Sequence, residues 1–286
     1  MKKILVTGAN GQLGQCLQKI SSQFEEFEFI FTDSETLDIT NKEEVNDFFW
    51  QNAPDFCINA AAYTAVDLAE TDIEKAFLVN ADGTENLAEA CAENNAQFIH
   101  VSTDYVFDGE NNLAYTEEDF TNPLGVYGAS KLAGDELALE VNPCSVILRT
   151  SWVYSEFGKN FVKTMLNLFA TKEELSIVAD QFGQPTNAND LAEAIMKIIK
   201  SEKITPGIFN FSNLGRISWF DFAEKIAELS EAKIKLNAIE TSQYPTPAKR
   251  PKNSVLDLDK ISKTYAIQLK PWEESIEDCI KILQNN

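Results

Sequence analysis

An α/β chain is predicted here, a doubly wound parallel sheet followed by a smaller C-terminal lobe, and three observations predict it. Short apolar, strand-like runs alternate with helical stretches through roughly the first 150 residues. The first of those runs stops at a glycine turn that opens a helix. After about residue 150 the alternation loosens and prolines gather, in ADQFGQPTNAND and TSQYPTPAKRPKNS, as in loops that cover a ligand.

The first strand, Ile4 to Thr7, lies in the β-branched run KKILVTG and ends at Gly8, with Gly11 and Gly14 following in GxxGxxG spacing. Gly8 permits a tight turn, Gly11 lets the backbone approach a pyrophosphate, and Gly14 lets the next helix pack close to its strand. That helix, Gln12 to Ser22, carries an apolar stripe of Leu13, Leu17 and Ile20 and would aim its N-terminal dipole at the diphosphate. This is the signature of a Rossmann-type nucleotide fold. The second strand, Phe27 to Thr32, ends at Asp33, which either accepts hydrogen bonds from an adenosine ribose and repels a 2′-phosphate or simply starts a loop. A helix over Asn41 to Asn52 follows, with Thr40 as its N-cap.

The third strand, Asp55 to Asn59, runs into NAAAYTAVD, whose small alanines let a flat ribose or nicotinamide lie against backbone. Asp72 to Asn94 reads as one helix, and Gln97 to Ser102 as the fourth strand. That strand leads into VSTDYVFDG, where the Thr103 hydroxyl either bonds a substrate carbonyl or caps a turn. A helix over Val126 to Leu139 and a fifth strand over Ser145 to Arg149 complete the series. Residues 1–154 therefore read as the nucleotide-binding domain, with about 180–215 returning to it, and 155–286 as mainly a substrate-binding lobe.

Tyr127 and Lys131, in VYGASK, stand one helical turn apart and share a helix face. A neighbouring ammonium favours the tyrosinate and is expected to draw the phenol down from about 10 towards neutrality, making a proton donor for carbonyl chemistry. The same spacing also arises on solvated helix faces, so the pair acquires meaning from the glycine turn and from Thr103.

Composition narrows the choice of function. With 286 residues, 44% of them hydrophobic, the chain can bury a sizeable core. No apolar run reaches the roughly 20 residues needed to span a bilayer, and the MKK start leads straight into a strand, so neither membrane anchoring nor a signal peptide is expected. Five scattered cysteines without CxxC spacing read as reduced thiols in a cytoplasmic protein. The single histidine, His100, sits in the apolar run AQFIHVS and reads as a strand residue rather than a catalyst. A net charge of −21 argues against nucleic acid as a partner and leaves anionic ligands to local donors.

The ordered set GxxGxxG, NAAAYTAVD, VSTDYVFDG, NPLGVYGASKLAGD, RTSWVY, DQFGQPT and YPTPAKRPKNSVLD resembles the dTDP-4-dehydrorhamnose reductase family, extended short-chain dehydrogenases/reductases, over essentially the whole chain. The resemblance implies NADPH or NADH as cofactor, a dTDP-sugar as substrate, and reduction of the 4-keto group of dTDP-4-dehydro-β-L-rhamnose. It makes Tyr127 the acid, Lys131 the residue that tunes it and holds the nicotinamide ribose, and Thr103 the group that orients the carbonyl. The cofactor set expected is Gly8, Asn10, Gly11, Gln12, Leu13, Gly14, Asp33, Asp38, Ile39, Ala60, Ala61, Ala62 and Tyr63, with Tyr127 and Lys131. The substrate set is Val66, Thr103, Asp104, Tyr105, Tyr127, Trp152, Asn160 and Arg250, the last two for the diphosphate; Trp152 has plain core packing as its other reading.

Related 4-epimerases share fold and YxxxK, whereas 4,6-dehydratases need a carboxylate pair after the threonine, and here Tyr105 follows Asp104. Non-catalytic NADP-binding regulatory relatives are a further alternative, which the intact Thr103, Tyr127 and Lys131 disfavour. Some members of the family pair through a magnesium ion held by glutamates, at places where this chain has Cys16 and Asn189. Neither suits a hard cation, so no metal is expected, and the chain reads as a monomer or a metal-independent homodimer.

Overall fold

The computed structural model describes residues 1–285. Six parallel strands form the central sheet: β1 Lys2–Thr7, β2 Phe27–Phe31, β3 Phe56–Asn59, β4 Gln97–Thr103, β5 Val146–Thr150 and β6 Gly207–Asn210. Their order is β6-β5-β4-β3-β1-β2, so the winding reverses between β1 and β3. In such a sheet ligands bind beyond the carboxyl ends of the strands at the reversal. Here that point is Thr7 beside Asn59, with Gly8 and Ala60 leaving on either side.

Side chains alternate across the pleat, and both faces are buried, as a parallel sheet requires. Ile4, Val6, Ile58, Ile99 and Leu148 face one core, packed against the helices Gln12–Ser21 and Ala188–Ile199. Leu5, Cys57, Phe98 and Ile147 face the other, against the helices Lys42–Asn52, Gly83–Glu93 and Val126–Val141. A third core lies outside the sheet and joins Tyr154, Val162, Met165, Phe222, Trp272 and Ile276 from the helices Phe161–Phe169, Trp219–Leu229 and Trp272–Gln284 and the segment before them. The chain passes repeatedly between the two regions: residues 188–211 and 261–267 serve the sheet, 217–226 and 272–280 the outer core.

Two expectations need correction. Asn41, not Thr40, caps the Lys42–Asn52 helix, accepting from the Glu44 amide at 3.3 Å; Thr40 donates instead to Asp38 Oδ1 at 2.7 Å. The helix expected over Asp72 to Asn94 is interrupted by a π-helical turn, Leu78–Asp82, between Ile73–Phe77 and Gly83–Glu93. Such turns are often functional. This one directs the buried Asn80 side chain at the loop after β3, where it accepts from the Tyr63 amide (2.8 Å) and donates to the Tyr63 carbonyl (3.0 Å) and to Ser130 Oγ (3.0 Å). Among the described residues no helix is long and apolar enough to cross a membrane.

Candidate active site

Gly8 closes β1 with φ +69, and a Cβ there would lie 2.6 Å from the Ala60 carbonyl, so only glycine lets the loops after β1 and β3 run this close. Gly14 is as constrained: its Cβ would stand 2.4 Å from the Gly8 carbonyl oxygen, which is how the Gln12–Ser21 helix can start directly above the turn. Gly11 is the N-cap of that helix and no side chain satisfies its first turn. Unsatisfied amides and the positive end of the dipole thus remain for an anion, the fit a nucleotide diphosphate needs.

Two adjoining cavities flank this turn. The smaller, about 380 Å³, is lined by Gly8, Asn10, Asp33, Asp38, Ile39 and the run Ala60 to Ala62. Asp33 is fixed at its rim, accepting from Asn10 Nδ2 at 2.6 Å and Thr36 Oγ1 at 3.0 Å, and the Thr36 hydroxyl bond, with backbone donors behind it, holds its carboxyl below the usual range. A fixed negative carboxylate there suits ribose hydroxyls and opposes a 2′-phosphate.

The larger cleft, about 660 Å³, continues from Gly11, Gln12 and Leu13 across the ends of β3, β4 and β5. Thr103, Asp104, Tyr105, Tyr127, Lys131 and Trp152 line it, with Val66 on the opposite wall. Tyr105 meets Tyr127 edge to face, ring centroids 5.7 Å apart, and Trp152 stacks on Trp219 at 3.5 Å. Trp152 adopts φ +47, and Gly183 is the residue that makes room for its indole, since a Cβ there would fall 2.6 Å from it. Trp152 thus lines the cleft and also packs against the outer core, so both readings of it have a counterpart in the structure.

Electrostatics inside this cleft are set by desolvation. Burial pushes the Tyr127 phenol up to about 12, against a smaller opposite pull from the Thr103 hydroxyl. This corrects the expectation that Lys131 brings it towards neutrality. The Lys131 Nζ is held by His100 Nε2 at 2.9 Å and the Val101 carbonyl at 2.7 Å, and burial drops its own proton affinity to about 8. The phenol therefore remains protonated across the physiological range, the form that a carbonyl reduction consumes. Asp104 is also buried; desolvation raises its carboxyl to about 7 although Thr103 Oγ1 donates to Oδ1 at 3.0 Å.

Four expected residues stand elsewhere: Gly14 lines neither cavity and serves the packing of its helix on the turn. Asn160 caps the Phe161–Phe169 helix through Oδ1, and its Nδ2 is taken by Gln12 Oε1 (2.8 Å) and the Ser155 carbonyl (2.8 Å), so its side chain is not free for a diphosphate in this state. Arg250 forms a two-pronged ion pair with Asp67 (3.0 and 2.8 Å), braced by Thr246 Oγ1 at 2.6 Å, and faces that carboxylate rather than the cleft. Tyr63 is absent from both linings and donates to Asp72 at 3.2 Å. At the two positions considered for a metal, burial pushes the Cys16 thiol up to about 12, and Asn189 Nδ2 donates to Glu156 at 2.9 Å. The Lys19 ammonium binds the same Glu156 carboxylate at 2.6 Å. Sequence reasoning missed Asn80, Ser130 and Asn59, whose only signal was being polar in apolar runs.

The chain matches the family model described as "RmlD substrate binding domain" over residues 1–285. It is 44% identical to the dTDP-4-dehydrorhamnose reductase of Aggregatibacter actinomycetemcomitans, covering 97% of this chain and 98% of that one. The chain belongs to the dTDP-4-dehydrorhamnose reductase family. The Escherichia coli K12 member is 40% identical over 96% of this chain and 95% of its own. Among solved structures, the Bacillus anthracis dTDP-4-dehydrorhamnose reductase in complex with NADP superposes with a TM-score of 0.95 at 39% identity, covering 98% and 99% of the two chains. The curated relatives named dTDP-4-dehydrorhamnose reductase are oxidoreductases.

Proposed function

We propose that this chain reduces the 4-keto group of dTDP-4-dehydro-β-L-rhamnose to dTDP-β-L-rhamnose with NADH or NADPH, in the cytoplasm. The observation that carries the reading is the convergence of Thr103, Tyr127 and Lys131 on one cleft that opens from the glycine turn. The nicotinamide supplies the hydride when bound. The protein's part is to hold the sugar between Val66, Tyr105 and Trp152, exclude water with those walls, and deliver a proton. Tyr127 gives its phenolic proton to the C4 oxygen as negative charge grows there, and Thr103 orients that oxygen by a hydrogen bond. Lys131 holds the ribose of the nicotinamide. Gly8, Asn10, Gln12, Leu13, Asp33, Asp38, Ile39 and the Ala60–Ala62 run hold the rest of the cofactor, and Arg250 exchanges Asp67 for the substrate diphosphate, which it can grip in the same two-pronged manner.

The test is oxidation of NADH or NADPH on addition of dTDP-4-dehydrorhamnose, with dTDP-4-dehydro-6-deoxyglucose as control. Turnover of the control alone, or of neither, overturns the reading. Because Asp33 is a fixed anion at the ribose end, NADH should be used at least as well as NADPH; comparing kcat/KM for the two checks this, and a hundredfold preference for NADPH would refute it.

On assembly, we infer a monomer or a dimer whose stability ignores chelators. Glu156 is already neutralised by the Lys19 ammonium, and replacing two carboxylates by a thiol and an amide removes two negative charges that a magnesium site would use. Sedimentation and activity should be the same with and without EDTA, and dissociation or loss of turnover on chelation would contradict this.

A further inference from the structure

His100 is the only histidine in the chain, fully buried on β4, and the mechanism above gives it no task. Its hydrogen bonds nevertheless fix the state of Lys131. Asn59 Oδ1 accepts from the Ala61 amide at 3.1 Å and from Thr7 Oγ1 at 2.8 Å. A backbone amide can only donate, so the side-chain oxygen faces Ala61 and Nδ2, which carries only hydrogens, faces His100 Nδ1 at 3.0 Å. His100 Nδ1 must therefore be bare, and the neutral ring carries its hydrogen on Nε2. That hydrogen points at Lys131 Nζ, 2.9 Å away; the other acceptor in its direction, Asp135 Oδ1, is 3.8 Å off, beyond hydrogen-bond range.

An ammonium has no lone pair with which to receive this hydrogen; a free amine has one, and can still donate to the Val101 carbonyl at 2.7 Å. We propose that His100 is a positioning residue for Lys131 that disfavours its ammonium form in the ligand-free enzyme, so that at alkaline pH cofactor binding is coupled to proton uptake at this lysine. The remaining charged or titratable groups around Lys131 do not alter the hydrogen-bond logic. Asp135, on the same helix, favours the ammonium and opposes this effect, though burial outweighs it and its Oδ2 is engaged by Arg149 Nε of β5 at 3.3 Å and by Ser102 at 2.9 Å; Tyr127 stays protonated near neutral pH and Asp104 titrates about it. Burial of Lys131, which drops its proton affinity to about 8, acts in the same direction as His100.

The coupling rests on the cofactor reading above, because an ammonium is the form that donates to ribose hydroxyls and steadies a tyrosinate. If the lysine binds its proton more tightly in the complex than in the free enzyme, affinity for NADH falls as pH rises through the free-enzyme value, about 8.

Nitrogen NMR of the ligand-free full chain labelled in histidine reads a single imidazole, with no assignment problem. The expected result is one neutral ring protonated at Nε2 from pH 6 to 9 and, in lysine-labelled protein, one side chain titrating well below the others and lost in Lys131→Met. A ring protonated at Nδ1 or at both nitrogens, or a Lys131 that titrates with the surface lysines, overturns the proposal whether or not the enzyme reduces any sugar. The conservative variant His100→Gln offers Lys131 an acceptor oxygen, restores the ammonium, and should move the fall in NADH affinity to higher pH by at least a tenfold change in proton concentration. A lowered kcat with an unmoved pH midpoint would mean that His100 only fills space.

Discussion

Tyr127→Phe should lower turnover by about 10²–10⁴-fold, the usual weight of a general acid, while affinity for the nicotinamide cofactor barely changes. The phenol is the donor in the cleft that is both beside Thr103 and held protonated by burial up to about 12, and removing one oxygen from an edge-to-face pair with Tyr105 leaves the packing in place. Single-turnover reduction with bound cofactor measures the loss directly. A Phe variant that keeps more than half of wild-type turnover would take the proton from elsewhere, and Asp104, titrating at about 7, would be the group to examine.

Gly128→Ala should be nearly as damaging, through geometry rather than chemistry. A Cβ at this position would lie 2.2 Å from the Tyr105 carbonyl oxygen and 3.0 Å from Pro123, so the helix bearing Tyr127 and Lys131 must back away from the turn after β4. Alanine favours a helix interior by about 1 kcal/mol over glycine, but overpacking typically costs about 1–3 kcal/mol, and here the obstacle is backbone that no rotamer can clear. The clash therefore wins. Because a misplacement of about 1 Å can cost about 10²-fold in rate, kcat should fall by about that factor, with thermal denaturation showing a loss of stability of about 1–3 kcal/mol. Unchanged kcat would mean that the helix and the turn are not the rigid frame described.

Five of the six strands were readable because each is a short apolar run with a turn residue at its end, and the Gly8, Gly11, Gly14 spacing fixes where the first turn must open; the edge strand β6, Gly207–Asn210, is not among them. The rest depended on local geometry and on partners, near or distant along the chain, that the sequence pattern does not reveal. Thr40 and Asn41 are both good caps, and only the coordinates show that Asp38 claims the threonine hydroxyl. The π-helical turn at Leu78–Asp82 is invisible to a 3.6-residue period, which continues through it. A four-residue spacing puts Tyr127 and Lys131 on one face but says nothing of His100 and the Val101 carbonyl, which lie 31 and 30 residues back along the chain and hold the amine. Likewise Arg250 reads as a phosphate ligand from its loop, while its pairing with Asp67 depends on a contact across 183 residues.

The repeated passage of the chain between the sheet and the outer core bears on how such a protein can diversify. Residues 188–211 supply a helix and the edge strand β6 to the sheet, and segments before and after them build the outer core. No single cut separates the two. Cutting after residue 154 would strip β6 from β5 and remove Leu191, Ile195 and Phe209 from the sheet's own core, exposing apolar surface that the remainder could not cover. A lobe woven in this manner cannot be traded between relatives as a cassette. Change in one region must therefore come by substitutions in place, while the two stay locked in register by the chain that stitches them together.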